Sequence, residues 1–105
     1  MALEIIWSEF AEKQLELIFK YYKENATEKV ARKIILSIIK EPARLIDDPF
    51  LGQKEKLLKN RKIGYRYLIF KNYKIIYSVD LEKGFIKISD VFDTRQNPLK
   101  IKRSR

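Results

Sequence analysis

Apolar positions recur with two different periods along this chain, and each change of period marks an expected change of element. Leu3 to Trp7 (Leu-Glu-Ile-Ile-Trp) is a short, β-prone apolar run and predicts a first strand. After Ser8 the spacing lengthens. Ala11, Leu15, Ile18 and Tyr22 recur at intervals of four, three and four, which is one face of a helix, and Phe10, Leu17 and Tyr21 widen that stripe. Ser8 is placed to cap the helix, with Glu9 and Glu12 in the first turn, where the helix dipole favours acids. Asn25-Ala26 breaks the pattern. Thr27 then caps a second helix that begins with Glu28 and carries Ala31, Ile34, Ile35, Ile38 and Ile39 on its buried face, continued by Leu45 and Ile46. Pro42 lacks a backbone donor, so a kink or a restarted turn is expected there, and Asp47-Asp48-Pro49 ends the run. Two amphipathic helices joined by so short a break should form an antiparallel hairpin.

Phe50 to Lys62 is polar and lysine-rich, with Leu51, Leu57 and Leu58 as its anchors. It reads as a mobile loop or a short irregular segment. Ile63 to Val79 then predicts two strands joined at Lys71-Asn72. A two-residue turn pairs Phe70 with Tyr73, Leu68 with Ile75 and Arg66 with Tyr77 on one face. Tyr65, Tyr67, Ile69, Lys74, Ile76 and Ser78 fall on the other, and a turn one residue longer would exchange the partners. One face should bury against the helices and the other stay open to a ligand. Asp80 to Gly84 is a turn, and Phe85 to Phe92 a last strand with Ile86, Ile88 and Asp90 on one side. The order is β-α-α-β-β-β. It specifies an α+β fold in which a helical hairpin packs on a small, mostly antiparallel sheet whose last three strands form a meander. The first strand should join that sheet beside a neighbour the pattern leaves open. With no internal repeat or linker, residues 1–98 read as a single domain and residues 99–105 as a basic tail.

Composition changes this picture through charge. At 105 residues and 46% apolar content, the chain has the size and core of one domain. The lack of cysteine excludes disulfides and thiolate metal sites. No apolar run reaches the roughly 20 residues of a membrane span, and the N-terminus lacks the basic lead and long apolar stretch of a signal peptide. A cytoplasmic protein with no membrane partner is expected. The charge is segregated: residues 51–105 carry 15 Lys+Arg against 5 Asp+Glu, whereas residues 1–50 carry 8 against 9. A basic half beside a nearly neutral helical half is a surface suited to a polyanion or an acidic partner.

The absence of histidine excludes Ser-His-Asp triads, Cys-His pairs and histidine metal ligation. Gly52, Gly64 and Gly84 stand apart, so no phosphate-cradling loop forms. Asp47/Asp48 and Asp90/Asp93 read as capping and turn residues rather than a hard-cation site, and no cofactor is implied. Cations and phenols remain. Lys54, Lys56, Arg61, Tyr65, Tyr77 and Lys100 are the candidate nucleic-acid or target contacts, with cations neutralising phosphates and tyrosines stacking on bases. The same pattern would equally serve cross-strand packing with a solvated cationic rim. Arg95 follows a strand end and precedes Pro98, where a held arginine would brace a phosphate or a developing negative charge. Composition alone would also suit a simple nucleic-acid-binding module.

The element order, the opening Ile6-Trp-Ser-Glu-Phe-Ala11, and Leu45 to Gly52 (Leu-Ile-Asp-Asp-Pro-Phe-Leu-Gly) form an ordered set. Tyr65-Arg-Tyr-Leu, Tyr73-Lys-Ile-Ile-Tyr77 and Val91-Phe-Asp-Thr-Arg-Gln-Asn-Pro98 complete it. Together they resemble the RelE/ParE superfamily of toxins from type II toxin–antitoxin modules, also called plasmid stabilisation proteins, from about Leu3 to Pro98. The resemblance implies a growth-inhibiting toxin neutralised by a cognate antitoxin, whose wrapping segment folds on binding. RelE-like members cleave mRNA on the ribosome by metal-independent attack of a ribose 2′-OH. For that branch the resemblance nominates Arg66, Lys74 and Arg95 as catalytic residues that stabilise charge and orient the substrate. ParE-like members instead inhibit DNA gyrase by binding. Leu68 stands where a lysine is often found, Asp93-Thr-Arg-Gln-Asn replaces a denser basic cluster, and no tyrosine follows Arg95. These departures favour the ParE-like branch, with RelE-like cleavage as the alternative.

Overall fold

Five strands form one sheet in the order β1-β5-β4-β3-β2. They are β1 (Glu4–Trp7), β2 (Gln53–Lys54), β3 (Arg66–Phe70), β4 (Tyr73–Asp80) and β5 (Phe85–Asp93), with helices α1 (Glu9–Asn25) and α2 (Glu28–Lys40) between β1 and β2. The computed structural model describes residues 3–103. Met1 and Ala2 of the N-terminus, and Ser104 and Arg105 of the expected tail, lie outside the described residues. The α+β architecture anticipated from the periodicity is present, and β1, whose neighbour was open, lies parallel to β5 at one edge of the sheet. All other pairings are antiparallel.

The local signals act as the sequence implies. Ser8 Oγ accepts from the Ala11 N–H at 3.0 Å and Thr27 Oγ1 from the Val30 N–H at 3.1 Å, so each helix starts on a side-chain cap. Pro42 ends α2 and opens a 3₁₀ turn over Glu41–Leu45. Lys71-Asn72 is a two-residue turn, and the register is Arg66 to Tyr77, Leu68 to Ile75 and Phe70 to Tyr73. Leu68, Tyr73, Ile75, Tyr77, Ile86, Ile88 and Val91 pack from the sheet onto Ala11, Ile18, Ile34, Ile38 and Leu45, forming the main core.

Four expectations are corrected. Phe50 to Lys62 is not merely a loop. It contains β2 and a 3₁₀ turn at Lys56–Leu58, because Leu58 is buried and the Glu55 N–H bonds to the Tyr65 carbonyl at 3.0 Å. The second sheet face is not open, since Leu58, Tyr65, Ile76, Phe92 and Ile101 close a smaller core over it. Ile101 comes from a 3₁₀ helix at Pro98–Arg103, so the start of the basic tail is docked on the sheet. Asp90 does not share a face with Ile86 and Ile88. The register slips between Ile76 and Tyr77, so Asp90 pairs with Ile76 on the second face while Ile88 pairs with Tyr77 on the first. Finally, Ile39 and Ile46, expected on the buried face of the second helix, are 44% and 41% exposed. The apolar stripe is wider than the surface the sheet can cover.

Candidate functional site

The segment from Phe50 to Arg66 leaves the helices, adds β2 to the sheet edge, turns through Lys56–Leu58 and enters β3. Between these pieces lies a hollow of about 610 Å³ lined by cations: Lys54, Lys56, Lys59, Arg61 and Arg66. Phe50, Leu58, Ile63, Tyr65 and Val79 supply its apolar wall. The one acid in the lining, Glu55, is buried and spent internally. Its Oε2 accepts from Lys74 Nζ at 2.8 Å and its Oε1 from the Leu57 N–H at 3.2 Å. The hollow is therefore strongly positive, and Lys54, Lys56 and Lys59 are exposed with no carboxylate partner among the described residues.

This hollow gathers Lys54, Lys56, Arg61, Tyr65 and Arg66 of the residues nominated from the sequence. The rest lie elsewhere. Lys100 is exposed on the C-terminal 3₁₀ helix. Tyr77 is fully buried, donates to the Pro49 carbonyl at 3.0 Å and accepts from the Gly52 N–H at 2.9 Å. Burial raises its pKa, so the phenol stays neutral and works as a hinge pin for the loop. Tyr65 is 5% exposed and has Arg61 over its ring. Neither tyrosine presents a face on which a base could stack, which corrects that part of the sequence reading.

Arg66, Lys74 and Arg95 do not converge. Arg66 pairs in register with Tyr77 on the helix-facing side, whereas Lys74 is on the face of Ile76. Arg66 Nη1 donates to the carbonyls of Gly52 at 2.8 Å and Phe50 at 3.2 Å, and its guanidinium lies 5.1 Å from the Phe50 ring centre. Lys74 bonds Glu55 and rests 4.3 Å from the centre of the Tyr67 ring. Arg95 lies beyond the end of β5, chelating Asp93 through Nε at 3.1 Å and Nη2 at 2.9 Å. The arginine's hydrogen bonds hold the Asp93 carboxyl below its usual range, against a smaller opposing effect of burial. Tyr73, which lines a cleft with Arg95, is pushed far above its usual range by burial and by its contact with Tyr22, so it stays protonated at neutral pH and is a poor base. The arrangement can bind and orient anions. It does not aim a base and a cation at one reacting atom.

Sequence reasoning missed Arg103. Its Nε donates to Asp90 Oδ2 at 3.0 Å, and its guanidinium sits 5.3 Å from both the Phe10 and Phe92 ring centres. The signal was the acid that the β-bulge turned inward, which a strict two-residue alternation assigns to the wrong face. Lys59 and Ile63 were also missed as lining residues: Lys59 because the lysine-rich run was read as a loop, and Ile63 because it was read as the start of a strand, whereas β3 begins at Arg66.

A second concavity lies on the neutral half. Trp7, Leu15, Phe19, Ile35 and Ile39 form an apolar cleft of about 530 Å³ between β1 and the two helices, edged by Glu12 and Glu16.

The profile of the ParE toxin of the parDE type II toxin–antitoxin system matches residues 5–98. The chain belongs to the ParE toxin family. A solved structure described as the chromosomal ParDE TA system from P. aeruginosa is similar with a TM-score of 0.71 at 17% identity, covering 87% of this chain and 95% of that chain. At that identity the likeness speaks for the fold. No curated protein matches the chain. The family match makes this chain a ParE-like type II toxin, and it ends where the docked 3₁₀ helix at Pro98–Arg103 begins. Among the described residues no helix is long and apolar enough to cross a membrane.

Proposed function

We propose that this toxin acts in the cytoplasm by binding DNA gyrase rather than by cutting mRNA. The observation that carries this reading is the separation of Arg66, Lys74 and Arg95. One is occupied by loop carbonyls and two by carboxylates, and they serve different surfaces. A 2′-OH attack needs charge stabilisation and proton transfer at one phosphate. A toxin that works by occupying its target needs instead a stable shape and an accessible charged surface, which the hollow provides.

We also assign the apolar cleft between β1, α1 and α2 to the cognate antitoxin. The similar P. aeruginosa structure is described as a ParDE TA system. An antitoxin segment that folds on binding would gain affinity by burying Trp7, Phe19 and Ile39, and its basic flanks would meet Glu12 and Glu16.

The test is to add purified toxin to a gyrase supercoiling assay and, separately, to a translating ribosome extract with labelled mRNA. Inhibited supercoiling with intact transcripts is the expected result. Transcripts cut at the ribosomal A site, with supercoiling unaffected, would overturn the proposal in favour of a RelE-like nuclease.

A further inference from the structure

We propose that the basic hollow enclosed by the segment from Phe50 to Arg66 seats an acidic segment of a partner protein, with an apolar side chain of that segment entering beside Ile63 and Phe50. The inference rests on the reading of the toxin as a binding inhibitor and adds the chemistry of what it binds.

Three features of the hollow carry this. Its charge is one-sided, because Glu55 is neutralised by Lys74 at 2.8 Å while Lys54, Lys56 and Lys59 face solvent. Its wall is apolar, and at its rim Phe50 and Ile63 are 50% and 51% exposed. Exposed apolar groups beside desolvatable cations are the make-up of a protein-binding hot spot, where apolar burial supplies affinity and charge supplies orientation. The hollow offers little aromatic surface for stacking: Tyr65 is buried, and Arg66 packs against the Phe50 ring, leaving that ring only partly open. Single-stranded nucleic acid draws much of its affinity from bases stacked on open aromatic faces, and it would leave Ile63 and Phe50 against solvent or phosphate. An acidic peptide satisfies both the cations and the rim. At about 610 Å³ the hollow has room for several side chains.

The experiment uses the purified full chain and three fluorescent probes read by anisotropy. They are a peptide alternating Glu and Leu, a Glu–Ser peptide of equal length, and an oligodeoxythymidine strand. The Glu–Leu peptide should bind about tenfold more tightly than the Glu–Ser peptide, and more tightly than the oligonucleotide. The exposed-site variants Ile63→Ser and Lys56→Glu/Lys59→Glu should each weaken it about tenfold, while Lys20→Glu on α1 should not. Circular dichroism verifies that each variant is folded. Tighter binding of the oligonucleotide, or peptide binding indifferent to the hollow variants, would overturn the inference. Gyrase supercoiling is assayed on the same wild-type preparation. Inhibition without hollow-dependent peptide binding overturns only this inference, whereas hollow-dependent binding without inhibition supports it and overturns the choice of gyrase.

Discussion

The backbone N–H of Gly52 donates to the phenol oxygen of Tyr77 at 2.9 Å, joining the loop after the helices to the middle of the central strand. The approach is so close that a Cβ on Gly52 would lie 2.6 Å from that oxygen and 2.6 Å from the Tyr67 carbonyl. The carbonyl belongs to the sheet ladder and cannot step aside. Gly52→Ala should therefore destabilise the toxin by about 2–3 kcal/mol through overpacking. Tyr77→Phe keeps the ring but leaves the Gly52 donor and the Pro49 carbonyl without their partner, at about 1–2 kcal/mol. The double variant should lose less than the sum, since both changes remove the same contact. Urea unfolding of the three variants checks this. An unchanged midpoint in Gly52→Ala would show that the loop is not pinned.

The Glu55–Lys74 pair makes an asymmetric prediction. The Glu55 side chain is 3% exposed and that of Lys74 22%. Removing the lysine strands a buried carboxylate, and Lys74→Met should cost about 2–3 kcal/mol. Glu55→Gln should cost about 1 kcal/mol, because the lysine reaches solvent and the Leu57 N–H keeps an acceptor. Combining the two should recover much of the loss. If the folded double variant inhibits growth as the parent does, Lys74 is a structural residue. Restored stability with lost toxicity would return it to the candidate active residues.

Asp93 sets a pH dependence. Arg95 holds its folded pKa below the unfolded value, which for an aspartate is about 3.9. The stabilisation is therefore complete above that pH and is lost as the pH falls through the lower folded value. Asp93→Asn should lower the neutral plateau modestly, because Arg95 is exposed, and flatten the acid limb, so that parent and variant converge as the pH falls through the folded pKa. Urea midpoints taken from about pH 6 to about pH 2 test it, and parallel acid limbs in parent and variant would refute it.

Much of this fold was legible because the main signals agreed. Ser8 and Thr27 mark the helix starts, Pro42 the break, and Lys71-Asn72 a turn whose register the apolar face of Leu68, Tyr73 and Ile75 enforces. What was illegible depends on contacts distant in sequence. Leu58 and Ile101 look like isolated apolar residues in charged runs, and only the sheet face beneath them makes them a core. Asp90 is displaced by a bulge, which has no periodic signature. At the site, the sequence singled out cations that the hollow brings together, Lys54, Lys56, Arg61 and Arg66, but not the internal partners of Arg66 and Lys74. Glu55 and Lys74 are separated by a turn and a strand, and Arg66 is occupied by backbone carbonyls that carry no sequence identity. The tyrosines read as stacking groups are buried because the small second core and the Gly52 loop use them first.

The exposed face of α2 gives the last prediction. Ile39 is 44% exposed and lines the cleft with Trp7 and Phe19, so a polar substitution there should change stability by less than about 0.5 kcal/mol. If the antitoxin seats in this cleft, Ile39→Asp places a carboxylate where its apolar side chains must go, beside Glu12 and Glu16, and should weaken the complex at least about tenfold. The hollow on the basic half is untouched, so toxicity should persist. The expected phenotype is a toxin that still arrests growth but is poorly rescued by co-expressed antitoxin. Lys56→Glu should do the reverse, reducing growth arrest while leaving capture of the antitoxin intact. Purifying the tagged variants with the co-expressed antitoxin reads the first half, and growth curves with and without antitoxin induction read the second. Full rescue of Ile39→Asp would remove the cleft as the antitoxin's seat and direct attention to the free edge of β1.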